Sequence, residues 1–450
     1  MSLDGSFFMR NTSTSISIAS LIVSAALSFN AHAVNLLQVY KDAIANDAPY
    51  ASARAALAAG LEKLPQTRAG LLPTISLSGS YTRSHSDVTA LGVPSNSYTT
   101  NNYAISLSQP LFRWANWEQY QQGMLYVAAS EAQFAQVQID LIVRVSQAYF
   151  DVLAAQDVLA SVQAQKLAIT EQLASAKRNF QVGTATITDT HEAQARFDLA
   201  VAQEFAAQGD LDIKRTALQQ IIGKPPAELS GLRPGVKLNA PEPAQIENWV
   251  SSALSQNYGI IGQQLALEIA QRDIKKNRAG HLPTLDFVAN RNHSNQSGSA
   301  ISTTSSISNV SSVGIQWAIP LFSGFGTDSK VKEAIALADK VRADLDNTRR
   351  TAEQGARQAF FGVATGLSQV RALEAAEISS QSALDSNRLG YKVGVRINID
   401  VLNAQQQLYA TRKDLAKARY DTIMNGLRLK SAAGTLKEED LVQINALLKP

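Results

Sequence analysis

The sequence predicts an α+β membrane protein: β-hairpins sized for a bilayer continue into a long α-helical barrel, and the unit is written twice. Three observations predict it. Motifs recur in order at one spacing of about 210 residues, two long stretches hold no proline, and four segments alternate apolar with polar residues.

The repeat comes first. Arg68-Ala69-Gly70-Leu71-Leu72-Pro73-Thr74 returns as Arg278-Ala279-Gly280-His281-Leu282-Pro283-Thr284, and Pro110-Leu111-Phe112 as Pro320-Leu321-Phe322. Phe180-Gln181-Val182-Gly183 returns as Tyr391-Lys392-Val393-Gly394, Asp189 falls on Asp400, and Gly223 on Gly434. Several matches at one offset mean a structural duplication. It divides the chain into a first repeat over 34–223, a proline-rich linker over 224–243, a second repeat over 244–434 and a C-terminal segment over 435–450.

Proline then marks the elements. None occurs from Leu111 to Lys224 or from Leu321 to Lys449, so both stretches can hold long helices. Leu141, Val145, Ala148, Val152, Ala155 and Leu159 begin a four-three alternation that runs on through Ile169, Leu173 and Ala176 to Phe180, which is coiled-coil packing. A helix over 114–182 would be roughly 100 Å long at 1.5 Å per residue. Gly183 turns it into a return helix over 188–222, and Gly394 does the same between helices over 327–392 and 397–434. The 67 alanines allow such helices to approach closely.

After a first helix, each repeat has a hairpin, over about 75–111 and 284–320. Ile75, Leu77, Gly79 and Tyr81 alternate with serines and Thr82, and Val313, Ile315 and Trp317 with Gly314 and Gln316. Strands of about ten residues with this period span a bilayer when tilted. The polar segments Ser84–Asn102 and Asn292–Ser312 read as loops. Four strands cannot close a barrel, and an open edge cannot face lipid. Several chains must contribute: two give eight strands, three give twelve and a lumen.

Composition excludes other classes. The chain has 450 residues and no cysteine, so it has no disulfides, thiolate metal sites, cysteine nucleophile or lipid-anchored N-terminal cysteine. A net charge of +3 gives no case for nucleic acid. The histidines show no metal-ligand spacing, and no phosphate loop, nucleophile elbow or paired carboxylates stand out, so no cofactor, metal site or catalytic residue is expected. Arg10, the apolar Ile16–Leu27 and Ala31-His32-Ala33 read as a signal peptide over 1–33, cleaved after Ala33, with Met9 an alternative start. Two rivals to a conduit are a coiled-coil adaptor or structural protein of an export complex in the periplasm, and an exported enzyme. The first would need compact β-domains; the second would need a cleft that near-continuous heptads leave little room for.

Nearly the whole mature chain resembles the TolC family of outer-membrane channel-tunnels. The resemblance rests on Asn35-Leu36-Leu37-Gln38-Val39-Tyr40, Gly280-His281-Leu282-Pro283-Thr284-Leu285-Asp286, Gly390-Tyr391-Lys392-Val393-Gly394-Val395-Arg396, Ile399-Asp400-Val401-Leu402-Asn403-Ala404 and Lys430-Ser431-Ala432-Ala433-Gly434-Thr435-Leu436. It implies a homotrimer in the outer membrane of a Gram-negative bacterium. A twelve-stranded barrel, four strands per chain, would continue into a helical tunnel through the periplasm. An equatorial region would be built from the linker and C-terminal segment. The implied function is an exit duct for type I protein secretion or multidrug efflux. Its partners would be outer-membrane lipid, a periplasmic adaptor (membrane fusion protein) and an inner-membrane ABC or proton-driven translocase.

The resemblance also assigns residues. Asp400 and Asn403 would form the pore constriction; the family pattern has acids at both positions, and here the second is an amide. Three Asp400 carboxylates around one axis would favour cations; an acid in a helix's first turn is also favourable near the dipole. Tyr391 and Arg396 on one hairpin, with Thr188 and Asp189 on the other, would supply the links that close the gate. Ala185 stands where the second repeat has Arg396, so the hairpins are not equivalent. Trp114, Trp117, Trp317 and Phe322, with Phe112 and Phe325, cluster at strand-to-helix junctions and read as an interfacial belt or as junction packing.

Overall fold

The computed structural model describes residues 33–88 and 93–449. Of the expected signal segment over 1–33, residues 1–32 lie outside the described residues. The first repeat contains α1 (Leu36–Asn46), α2 (Ala48–Leu61), α3 (Lys63–Ala69), β1 (Thr74–Val88), β2 (Val93–Phe112), α4 (Trp114–Gln181) and α5 (Ile187–Ile222). The second contains α6 (Ile246–Gln256), α7 (Tyr258–Arg278), β3 (Thr284–Gln296), β4 (Ser306–Ala318), α8 (Gly326–Lys392) and α9 (Asn398–Ala432), followed by α10 (Glu438–Asn445). No described helix is long and apolar enough to cross a membrane.

The helix expected before each hairpin is divided. Asp47 leaves helical geometry at ψ 115°, and its carboxylate caps α2 by accepting from Tyr50 N–H at 2.9 Å. Asn257 repeats the device between α6 and α7, accepting from Gly259 N–H and Ile260 N–H. A side-chain oxygen that satisfies the orphan amides of a new helix makes a bend cheap.

The four strands form one antiparallel sheet in the order β1-β2-β3-β4. Ile75 pairs with Leu107, Leu107 with Ala289 and Ala289 with Val313, so one sheet face carries the apolar set. The opposite face carries Ser76, Ser106, Asn290 and Ser312. The strands run further than the alternation suggests, with lengths of 15, 20, 13 and 13 residues. Most of the two segments read as loops is therefore strand. The ladder is made by the backbone, so polar side chains do not interrupt it where neither face is required to be apolar. Asn96 Nδ2 donates to Ser299 O at 2.9 Å and so fastens the β3–β4 connection onto β2.

The 68 residues of α4 give about 100 Å of helix. α5 packs antiparallel to α4, and α9 to α8, while α7 lies between α4 and α8. Ala176, Ala193 and Ala200 are almost wholly buried between α4 and α5, where a larger side chain would hold the helices apart. The main core sits midway: Leu36 and Val39 of α1 pack with Leu141, Val145, Tyr149 and Phe150 of α4, Leu218 of α5 and Met424 of α9. The linker and both ends of the described chain meet there. Val34 bridges to Leu229, and Leu232 to Leu448. Tyr149 Oη donates to Ser230 O at 2.7 Å, and burial pushes this phenol above its ordinary pKa.

Candidate functional site

Both hairpin turns use one backbone solution. Gly183 (φ 78°) and Gly394 (φ 77°) take the left-handed conformation that ends α4 and α8. Thr184 N–H then reaches Asn179 O at 2.8 Å, and Val395 N–H reaches Gly390 O at 2.8 Å, as in a Schellman motif. The return helices differ in their caps. Thr186 caps α5 in a reciprocal box with Asp189, whose Oδ2 accepts from Thr186 N–H at 3.0 Å. The equivalent cap of α9 is Ile397, which has no side-chain acceptor. Asp400 occupies the same helical position as Asp189, but no such box holds its carboxylate. Its described charged partner is Arg396, at 3.7 Å, and the side chain is one-third exposed.

Within one chain the expected gate residues find other partners. Tyr391 Oη accepts from Asn179 Nδ2 at 3.2 Å, Arg396 faces Asp400, and Asp189 is used by the Thr186 box. Among the described residues, no intrachain side-chain link joins Tyr391 or Arg396 to Thr188 or Asp189. The capping box engages one oxygen of Asp189, since the amide and the hydroxyl of Thr186 both donate to its Oδ2.

The hairpins are instead laced by residues that, Asn403 apart, the sequence did not single out. Arg196 of α5 reaches α9, donating from Nη2 to Asn403 Oδ1 at 3.0 Å and from Nη1 to Gln406 Oε1 at 2.5 Å. Asn398, fully buried, accepts from Gln172 of α4, and its Nδ2 donates to Asp189 O at 3.4 Å. Tyr409 Oη donates to Ala164 O at 3.2 Å. Only the amide at Asn403, where the resemblance expects an acid, hinted at a changed partner. Of the two residues expected at the constriction, Asp400 is an acid and Asn403 is an amide that accepts from a cross-hairpin guanidinium.

At the other end, Trp114, Trp117, Trp317 and Phe322 are all exposed at strand-to-helix junctions. Phe322 meets Phe325 edge-on at 5.4 Å between ring centroids. The junction is tied by Arg113, which grips the buried Asp286 in a fork (Nε–Oδ1 2.8 Å, Nη2–Oδ2 2.6 Å).

The same architecture recurs among known proteins. A family model described as outer membrane efflux protein matches the chain twice, over residues 39–224 and 249–435. The chain belongs to the outer membrane efflux protein family. This efflux-family chain is 34% identical to outer membrane protein TolC of Vibrio cholerae, an alignment covering 95% of this chain and 98% of the relative. It is 34% identical to the alkaline protease secretion protein AprF of Pseudomonas aeruginosa, covering 93% and 88%. Its fold is similar to that of the outer membrane protein VceC of Vibrio cholerae, with a TM-score of 0.77 at 17% identity, covering 89% and 96%. The protein is an outer-membrane exit channel of the efflux and type I secretion class, and its four-stranded sheet and duplicated helical body are the fold of such channels.

Proposed function

We propose that three copies of this efflux-family chain close a twelve-stranded barrel and a periplasmic tunnel, and that export proceeds through the lumen without a stop in the periplasm. The observation that carries this reading is the sheet order: among the described residues, β1 and β4 are unpaired edges on a sheet with one apolar face. In lipid every backbone group needs a partner, so β4 of one copy must pair with β1 of the next. Residues 1–33 act as the export signal, the two repeats build barrel and tunnel, and the linker with the C-terminal segment forms the equatorial region. A periplasmic adaptor and an energised inner-membrane translocase, either ABC-type or proton-driven, complete the path. The translocase selects the cargo, whether protein or small toxic compound.

In this reading Asp400 lines the mouth, where the three carboxylates attract cations. Arg196 offsets part of that charge. Thr188, Tyr391 and the exposed Arg396 then make their gate-closing links to neighbouring copies. The aromatic residues at the junctions set the depth of the barrel in the bilayer.

The absence of cysteine makes the test direct. Ser78→Cys on β1 is combined in turn with Ser308→Cys, Ser312→Cys or Gln316→Cys on β4, all on the polar face. A disulfide needs Cβ atoms about 4 Å apart. One register is expected to give a covalent trimer on denaturing gels of outer-membrane fractions. Monomer bands alone at every register refute the closed barrel.

A further inference from the structure

The apolar face of the sheet carries basic side chains that neither the channel nor its mouth uses. Arg291 and His293 are successive same-face residues of β3, since Ile105 pairs with Arg291 and Tyr103 with His293. On β4 they face Ser311 and Asn309. Below them the same face holds Leu107, Ala289, Val313, Phe287, Ile315 and Trp317. Val313, Ile315 and Trp317 are each more than 60% exposed, so the face is bare in one chain. Among the described residues, Arg291 has no ion-pair partner. His293 is oriented: its Nδ1 lies 2.8 Å from Asn309 Oδ1, and its ring stacks on Tyr103 with centroids 6.5 Å apart. That leaves its Nε2 edge for a ligand. Arg83 and His85 continue the outward face of β1. Asp87 lies beside His85 at 3.6 Å, so Arg291 and His293 form the pair without an acid at hand.

Height identifies the ligand. The helices begin where the sheet ends at Phe112 and Ala318, which makes Leu285 and Trp317 the periplasmic edge. Arg291 is six residues further on, about 20 Å along the strand at ~3.4 Å per residue. At a tilt of about 40° that is ~15 Å along the membrane normal, and His293 reaches ~21 Å. The apolar band of a barrel is about 25 Å tall, so Arg291 lies in its outer half and His293 in its outer third. A charged side chain on the lipid face is disfavoured in a depth-dependent way unless it reaches a polar partner. A long Arg stem can reach the headgroup level from this depth, and its fork of donors matches a phosphate.

We propose that Arg291 and His293 form a binding site for the phosphate of an outer-leaflet phosphorylated glycolipid, whose acyl chains descend toward the Leu107 and Val313 surface. This rests on the barrel reading, which fixes that face toward lipid. The occupant is a lipid because the Arg–His pair stands directly above an apolar field. A soluble phosphate would gain nothing from that field.

The test uses the full-length protein in phosphatidylcholine nanodiscs, with bis-phosphorylated lipid A as the probe and its dephosphorylated form as comparison. Bound lipid is counted by native mass spectrometry. Wild type is expected to bind the phosphorylated form at least about tenfold more tightly, and millimolar inorganic phosphate is expected not to displace it. Arg291→Gln with His293→Gln should lose that preference, while Arg371→Gln on the helical body should keep it. Equal binding of both lipids by wild type overturns the proposal without any variant, as does displacement by free phosphate. Channel conductance recorded on the same preparations separates the two readings. Conductance without lipid preference sinks the lipid site alone, whereas wild type without conductance sinks the channel reading beneath it.

Discussion

Removing the Arg196 guanidinium tests the proposed mouth most sharply. Arg196→Ala deletes two hydrogen bonds from a cation to Asn403 and Gln406, at 3.0 and 2.5 Å. Hydrogen bonds to charged groups contribute about 1.5–3 kcal/mol when desolvated. Both acceptors are exposed, and solvent screening brings the pair down to roughly 1 kcal/mol per chain. Three copies total about 3 kcal/mol, and at 1.4 kcal/mol per decade the open-to-closed ratio should rise roughly a hundredfold. The substitution also removes positive charge near Asp400. In planar bilayers, channels should open more often at low voltage, the reversal potential in a salt gradient should shift toward stronger cation preference, and multivalent cations should block more tightly. Looser packing alone would raise opening without shifting the reversal potential. Asn403→Asp should act oppositely on opening, because an ion pair replaces a charge–dipole contact. If Arg196→Ala leaves both opening and selectivity unchanged, Arg196 does not latch the hairpins at the mouth.

Three further outcomes are expected. Asp400→Ala should weaken block by trivalent cations at least tenfold in bilayer recordings; undiminished block would remove Asp400 from the constriction. Tyr391→Phe with Arg396→Ser should raise single-channel conductance, since it removes the Asn179 link and the proposed interchain contact together; wild-type conductance would rule out this gate. Gly434→Ala should deplete the trimer from outer-membrane fractions, because a Cβ there would lie 2.3 Å from Gln256 O on a backbone at φ 71°. Backbone strain and the overlap together cost more than about 2 kcal/mol. Normal trimer levels would show that the end of α9 can move away from the α6–α7 bend.

Much of the fold was legible because its signals are periodic. Heptads need only apolar residues at a fixed spacing, and Leu141, Val145, Val152, Ala155 and Leu173 are buried as that spacing requires. The glycine turns were legible because the left-handed conformation selects glycine. The full strand lengths were not, since polar strands carry no face signal. The lacing at the hairpin ends was also hidden. Arg196 and Asn403 are 207 residues apart, and nothing local marks either as the other's partner.

The two acids at the turns show where the boundary falls. The sequence by itself determined that Asp189 and Asp400 are equivalent, each in the first turn of a return helix. Tertiary structure decided that they differ. Thr186 folds its hydroxyl and amide onto one carboxylate, while Ile397 offers the other nothing and leaves it to Arg396. The sequence likewise determined an apolar sheet face with two open edges. Which strands pair, and therefore which basic residues crown that face, was decided by the register of the assembled sheet. The physical reason is the same in both cases: local chemistry sets what a residue can do, and long-range geometry sets which partners come within reach.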